Sequence, residues 1–248
     1  MKKKIIKLLK ELEKEQGIKI LMAVESGSRE WGFESKDSDY DVRCVHISDK
    51  NSYLGLEDKK EQVDLIKEDI DIVSWDIRKF FRLFLKSNPT VSEWLSSKLV
   101  YIDKGFGEYK KKDILKIFEE GYSRSKLEHH YISLAMQNYK KYIDSYKKDV
   151  LLKKYVYILR ALGCIEYINE TNELPPLNWK KSSKYLPKDI KEDFNRLVEM
   201  KKSSEKNKGK RIKRLDNYIE KNLRQEIKED KERFNFDVIN KIVIDSIK

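Results

Sequence analysis

Apolar positions change their period along this chain, and the change divides it. Residues 3–15 set Ile5, Ile6, Leu8, Leu9 and Leu12 at helical spacing among lysines and glutamates, which predicts an amphipathic helix stopped by Gly17. IKILMAVES (18–26) is a short apolar run rich in branched side chains and predicts a strand. GSREWGF (27–33), with two glycines, predicts a loop leading into a short helix, and DYDVRCVHI (39–47) alternates as a second strand. EQVDLI (61–66) and DIDIVSW (69–75), separated by Lys67-Glu68, predict a hairpin or two adjacent strands. After Trp75 the period lengthens. DIRKFFRLFLKS (76–87) is helical with Asp76 able to cap it, Asn88-Pro89 breaks it, and TVSEWLSS (90–97) resumes as a short helix. LVYI (99–102) fits a last strand. Beyond about residue 106 no strand pattern is found. Helical patterns occupy roughly 106–120, 123–147, 149–171, 187–202, 209–231 and 235–247. The expectation is an α+β chain: a mixed α/β domain over residues 1–104 and an all-helical domain over 105–248.

Composition narrows the class. In 248 residues, Gly (9) and Pro (4) are too scarce for a disordered or fibrous chain. No apolar run approaches the 18 or so residues of a membrane span, and the Lys-rich start lacks the apolar core of a signal peptide. Cys44 and Cys164 make neither a disulfide framework nor a metal cluster and read as small core residues, so a reducing cytoplasm is expected. The net charge is +11, and its distribution is uneven: residues 201–214 hold eight Lys/Arg against Glu205 alone. Such a patch attracts polyanions such as RNA, although a flexible solvated loop has the same composition.

The stretch that carries chemistry is GSREWGFESKDSDYDVR (27–43). Gly27-Ser28 follows a strand, ten residues separate Ser28 from Asp39, and Asp41 lies two positions on. On a strand Asp39 and Asp41 project to one face. Two carboxylates held that close are unfavourable unless cations neutralise them, and Mg²⁺, with its preference for oxygen ligands and phosphates, suits the pair. The Gly-Ser turn offers backbone N–H groups and a hydroxyl to a triphosphate, and Arg29 follows within reach of a phosphate. Trp31 and Phe33 read as packing residues.

This ordered set resembles the nucleotidyltransferase superfamily of DNA polymerase β type. The resemblance narrows over residues 75–103. Trp75-Asp76-Ile77-Arg78-Lys79, Asn88-Pro89 and Glu93-Trp94-Leu95 are similar to a predicted nucleotidyltransferase family associated with RNA repair and RNA ligases. HHYISLAMQNY (129–139), LLKKYVYILRALGCIEYI (151–168) and LPPLNW (174–179) resemble that family's helical half, so the likeness covers roughly residues 20–180. Ser74 departs from the Gly that often precedes the Trp. The resemblance implies a mixed sheet carrying the catalytic acids, followed by a helical domain. It also implies transfer of a nucleoside monophosphate from an NTP such as ATP to an acceptor hydroxyl, with release of pyrophosphate and two Mg²⁺ ions, or Mn²⁺, held by carboxylates. A third acid is then needed; Asp71 is the first choice, Asp69 the reserve, Asp64 less suited, and Asp76 better explained as a helix cap. An RNA end is the implied acceptor and an RNA ligase the implied pathway partner.

On the helix predicted over 149–171, Lys153, Tyr157 and Arg160 stand at i, i+4 and i+7 and share a face suited to a triphosphate and a base. Lys154 is the alternative lysine, and His130 is a further candidate contact. A salt-bridged or solvated stripe would have the same spacing. Two other functions compete: a protein-modifying nucleotidyltransferase of toxin–antitoxin type, and a non-catalytic RNA-binding module. The presence of Asp39, Asp41 and Asp71 together argues against the second.

Overall fold

The structure, a computed structural model, describes residues 1–56, 60–144 and 149–248. It divides into two compact units, one of Met1–Glu30, Asp39–Ser123 and Glu232–Lys248, the other of Trp31–Ser38 and Arg124–Lys231. Compactness thus draws its boundary after Ser123 rather than at 104, and returns the last stretch of chain to the first unit.

The first unit contains α1 (Lys2–Gln16), β1 (Ile18–Ser26), α2 (Gly27–Trp31, whose last residue belongs to the second unit), β2 (Tyr40–Ser48), α3 (Asn51–Leu54), β3 (Gln62–Lys67), β4 (Ile70–Asp76), α4 (Ile77–Leu85), α5 (Pro89–Ser96), β5 (Val100–Asp103) and α6 (Lys111–Gly121). The sheet order is β3-β4-β2-β1-β5, with β2 and β4 parallel and the other neighbours antiparallel. β1 is inside the sheet and buried from Ile20 to Glu25, so its sequence is a continuous apolar run broken by one carboxylate. β4 alternates strictly between buried and half-buried positions. One sheet face presents Val42, Cys44, Ile70 and Ile72 to α1, whose Ile5, Leu8, Leu9 and Leu12 recur at i, i+3, i+4 and i+7. Each such aliphatic burial contributes about 1.5–3 kcal/mol. The opposite positions, Asp41, Arg43 and Asp71, are left half-buried and polar.

Asp76 caps α4 as expected: its Oδ1 accepts the Arg78 N–H at 2.8 Å, and its Oδ2 accepts the Tyr53 hydroxyl at 2.7 Å. Phe80, Phe84, Trp94, Phe106 and Phe118 build an aromatic core behind α4 and α5.

The second unit contains α7 (Arg124–Tyr142), β6 (Asp149–Leu151), α8 (Lys153–Thr171), α9 (Trp179–Ser182), α10 (Lys188–Ser203), β7 (Lys208–Lys210) and α11 (Lys213–Asn222). α8 is its centre, packed by α7, α9, α10 and α11. Three sequence expectations are corrected here. The region after 106 does hold strands, since β6 and β7 form an antiparallel pair and the helix expected from 149 begins only at Lys153. The helix expected over 209–231 is confined to Lys213–Asn222. Beyond it the chain is non-helical, and the Asp230 carboxylate accepts the Arg124 and Ser125 N–H groups at 3.1 and 2.9 Å and so satisfies the start of α7. The helix expected over 123–147 ends at Tyr142, and residues 145–148 lie outside the described residues. Finally α12 (Phe236–Ile247) rejoins the first unit, with Asn235 as its N-cap. Among the described residues no helix is long and apolar enough to cross a membrane.

Candidate active site

Asp41 and Asp71 face one another in the β2–β4 ladder, as direct register partners on adjacent parallel strands. At the start of this ladder the Tyr40 N–H donates to the Asp69 carbonyl at 2.7 Å. The β3–β4 hairpin turns at Glu68-Asp69, with Glu68 at φ 54°, so β4 starts at Ile70 and its first outward position is Asp71. Asp69 therefore does not share a strand face with Asp71, contrary to the alternation of the sequence. It lies in the turn, 3.9 Å from the Lys4 ammonium of α1. Asp64 is exposed and accepts from Gln62. Asp39 stands just ahead of β2, exposed, and its carbonyl accepts Arg29 Nε at 3.2 Å. The Arg29 guanidinium also lies over the Tyr40 ring, 3.7 Å from its centre.

Gly27 meets this group directly. In the β1–β2 ladder Ser26 pairs with Asp41, so the next residue is at the aspartate's side chain. Gly27 has φ +64°, and a Cβ placed there would lie 2.0 Å from Asp41 Oδ2. Only glycine permits both the backbone and the approach. Ser28 beside it is buried.

Two side chains that the sequence pattern did not single out complete the arrangement. Glu25 is buried; its Oε1 accepts the Asp41 N–H at 3.0 Å, and its Oε2 accepts the Tyr101 hydroxyl. Arg43 Nη2 donates to Asp41 Oδ1 at 2.7 Å and to Asp71 Oδ2 at 2.9 Å. Both had a signal. Glu25 is a charge inside an apolar strand, and Arg43 continues the two-residue period of Asp39 and Asp41. Burial pushes the Asp41 carboxyl above the usual range, with Asp71 and Asp39 adding to the rise and Arg43 and Arg29 opposing it. Glu25 is raised as well, first by burial.

Asp39, Asp41 and Asp71 offer hard carboxylate oxygens, the donors that Mg²⁺ and Mn²⁺ take. The gap between Asp41 and Asp71 already accommodates a cationic group, the Arg43 guanidinium, so the donor set suits a divalent ion. Among the described residues no three His, Cys, Asp or Glu side chains are gathered as tightly as a metal cluster.

In the helical unit the candidates are engaged differently. Lys153 Nζ lies 3.3 Å from Glu205 Oε2. Arg160 is 3% exposed, and its guanidinium carbon lies over the Trp31 ring, 3.9 Å from the ring centre. Tyr157 packs edge-on to Trp31 and tilted against Phe33. Lys154 Nζ sits over the Tyr142 and Tyr157 rings at 3.9 and 5.4 Å, and burial lowers its pKa. His130 is half-buried and edge-on to Tyr131. Segment 201–214 is not the loose loop that its composition suggests. Lys201 is fully enclosed and donates to Glu205 at 2.6 Å, Arg211 pairs with Asp216, and Arg214 with Asp193. Lys206, Lys208 and Lys210 remain exposed, the last two at the ends of β7 with Gly209 between them.

The profile of the RNA repair pathway DNA polymerase beta family, RlaP, matches residues 1–245. The chain belongs to this family. The likeness read from residues 20–180 thus extends over almost the whole sequence, and membership places this chain in a DNA polymerase beta family of the RNA repair pathway. A relative in Bacillus subtilis (strain 168), the uncharacterized protein YcgL, is 36% identical over 208 residues, which span 83% of this chain and 78% of that one. A nucleotidyltransferase-like protein from Exiguobacterium sibiricum 255-15 is a structural neighbour with a TM-score of 0.36 and 12% identity, over 88% of this chain and 74% of that one.

Proposed function

We propose that this RNA repair family member transfers a nucleoside monophosphate from an NTP to a hydroxyl at an RNA end. The observation that carries the reading is the register of Asp41 on Asp71, with the Asp41 carboxylate lodged against Gly27. Asp39, Asp41 and Asp71 are the residues that would hold two Mg²⁺ or Mn²⁺ ions, which supply charge neutralisation to a triphosphate and acidify an attacking hydroxyl. The hydroxyl oxygen bonds to the α-phosphorus, the bond from that phosphorus to the β-phosphate oxygen breaks, and pyrophosphate leaves with the electron pair. The hydroxyl proton passes to the Asp71 carboxylate. The Gly27-Ser28 turn holds the β- and γ-phosphates, with Arg29 adding positive charge. In this reading Glu25 positions Asp41 through its backbone N–H. Within the helical unit, Lys154 is read as a cation held over Tyr142 and Tyr157, and Lys153, Tyr157, Arg160 and His130 as packing or ion-pair residues.

The exposed Lys206, Lys208 and Lys210 support an RNA acceptor, because cations on a short ribbon contact phosphates without reading bases. The test is incubation of the full chain and Mg²⁺ with α-labelled NTPs, with RNAs of defined ends and separately with protein acceptors. Label in RNA is expected. Label in protein alone would move the chain to the protein-modifying class, and RNA binding without any label would make it a non-catalytic module.

A further inference from the structure

Arg43 is on the same outward face of β2 as Asp41 and reaches across to β4. One guanidinium nitrogen, Nη2, donates to carboxylates on both strands, to Asp41 Oδ1 at 2.7 Å and Asp71 Oδ2 at 2.9 Å. The other, Nη1, donates to two carbonyls, Asp71 O at 3.0 Å and Val42 O at 3.2 Å. The side chain is 17% exposed, so its charge is poorly screened by water. The two nitrogens of this rigid fork have different kinds of partner. Nη1 is anchored to backbone, and Nη2 bridges the two acids whose register defines the candidate site.

A guanidinium carries only donors, and here it takes one oxygen of each acid, Asp41 Oδ1 and Asp71 Oδ2, on the side where the two carboxylates meet. Two cations on the same pair of oxygens repel one another strongly in a half-buried place. Without any cation, the two acids repel instead. We infer that Arg43 is the chain's own counter-cation for Asp41 and Asp71, and that a divalent ion gains these carboxylates by displacing Arg43 Nη2. The inference rests on the reading of Asp39, Asp41 and Asp71 as metal ligands. Arg43 is in this sense a positioning residue: it keeps the acids in register before metal arrives, and it sets the affinity against which metal competes. The Nη1 bonds to the Val42 and Asp71 carbonyls provide a pivot, so displacement of Nη2 takes the form of a turn of the planar group about Nη1.

The test uses the full chain, Mn²⁺ alone as probe, free Mn²⁺ measured by electron paramagnetic resonance, and the thermal midpoint with and without the ion. Arg43→Gln is expected to lower the metal-free midpoint, to bind Mn²⁺ several-fold more tightly than wild type, and to gain more in midpoint when Mn²⁺ is added. Arg43→Lys, whose single ammonium cannot serve both carboxylates and both carbonyls, is expected to fall between the two. If Arg43→Gln does not fold, Arg43→Lys decides: tighter Mn²⁺ binding than wild type supports the inference, and equal or weaker binding overturns it. Asp41→Asn locates the ion. Mn²⁺ binding that is abolished in Asp41→Asn but unchanged or weakened in Arg43→Gln overturns the role of Arg43 alone. Absence of Mn²⁺ binding in wild type and in every variant overturns the metal reading of the three acids, and the inference with it.

Discussion

The sheet unit and the helical unit treat their charged residues in opposite ways. In the sheet, Asp41 and Asp71 are brought together by a backbone ladder, face the polar side of the strands, and are joined by Arg43. In the helical unit, Lys153, Lys201 and Glu205 form an internal ion cluster, and the Arg160 guanidinium lies over Trp31. The difference lies in what each element can specify. A ladder fixes which residue on one strand stands opposite which on the next, so a spacing in sequence becomes a distance. A helix fixes only which residues share a stripe, and that stripe can face solvent or core equally well. Arg160 and Tyr157 share a stripe with Lys153, and that stripe packs on the Trp31–Ser38 segment, with Lys153 turned to Glu205.

The sharpest way to break this comparison is to remove carboxylates from the sheet. Asp41→Asn is expected to reduce NTP turnover to background, and Asp71→Asn to cost at least about 10²-fold, the scale of a lost general base. Asp69→Asn and Lys153→Met are expected to leave kcat within a few-fold of wild type, measured with saturating NTP. Gly27→Ala should match Asp41→Asn in turnover and also destabilise, because alanine at a left-handed backbone costs about 1–2 kcal/mol before any clash with the Asp41 carboxylate. A sensitive Asp69 with an insensitive Asp71 would mean that the β3–β4 hairpin is drawn in the wrong register.

Much of this was legible in the sequence, for reasons that differ by element. The strands of the first unit were readable because β1 is a continuous apolar run and β4 alternates, with Asp41 and Asp71 interrupting β2 and β4 visibly. The choice between Asp69 and Asp71 was not readable, because it depends on where a turn ends, and Glu68 shows no outward sign of its positive φ. The ribbon β6–β7 escaped because Lys-Gly-Lys has no strand propensity of its own; a Cβ on Gly209 would lie 3.2 Å from Leu152, and that packing holds it in place. The end of α11 escaped because residues 223–231 are helix-compatible in composition, and the carboxylate of Asp230 is drawn to a helix start more than one hundred residues earlier.

The helical unit offers the second test, in stability. Burial pushes the Glu205 carboxyl up, but hydrogen bonds from Lys201, Ser38 and Ser35 and the Lys201 charge outweigh it and hold the group down at about 2, against an ordinary 4.5. A carboxyl held below its unfolded value stabilises the fold fully above about pH 4.5, and that contribution is lost as pH falls toward about 2. Thermal midpoints of wild type should therefore fall through this window, and Glu205→Gln should show a shallower fall. At neutral pH the same variant leaves the enclosed Lys201 with Ser38 and an amide oxygen but no counter-charge, so it is also expected to lower the midpoint. Identical acid profiles for the two proteins would remove Glu205 from the cluster's energetics.

The smallest effect concerns the exposed ribbon. Lys206, Lys208 and Lys210 changed together to Gln should weaken RNA binding for all sequences alike and flatten its salt dependence by roughly 0.7 in log–log slope for each phosphate no longer neutralised. Arg211 is left out of this set because it belongs to Asp216. An unchanged slope would separate this surface from the acceptor and favour a protein acceptor.

The Trp31–Ser38 segment has a consequence for how such a chain can be inherited. The polypeptide leaves the sheet unit after Glu30, returns at Asp39, leaves again after Ser123 and returns at Glu232. Between Gly27 and Asp41, in the midst of the candidate catalytic sequence, eight residues are threaded into the neighbouring unit and anchored there by Ser35 and Ser38 on Glu205. No single recombination point separates the two units intact. Genetic exchange of residues 124–231 alone would carry Trp31 and Phe33 from one parent and their Tyr157 and Arg160 neighbours from the other, so segment 31–38 and the later helices of its unit are bound to vary together.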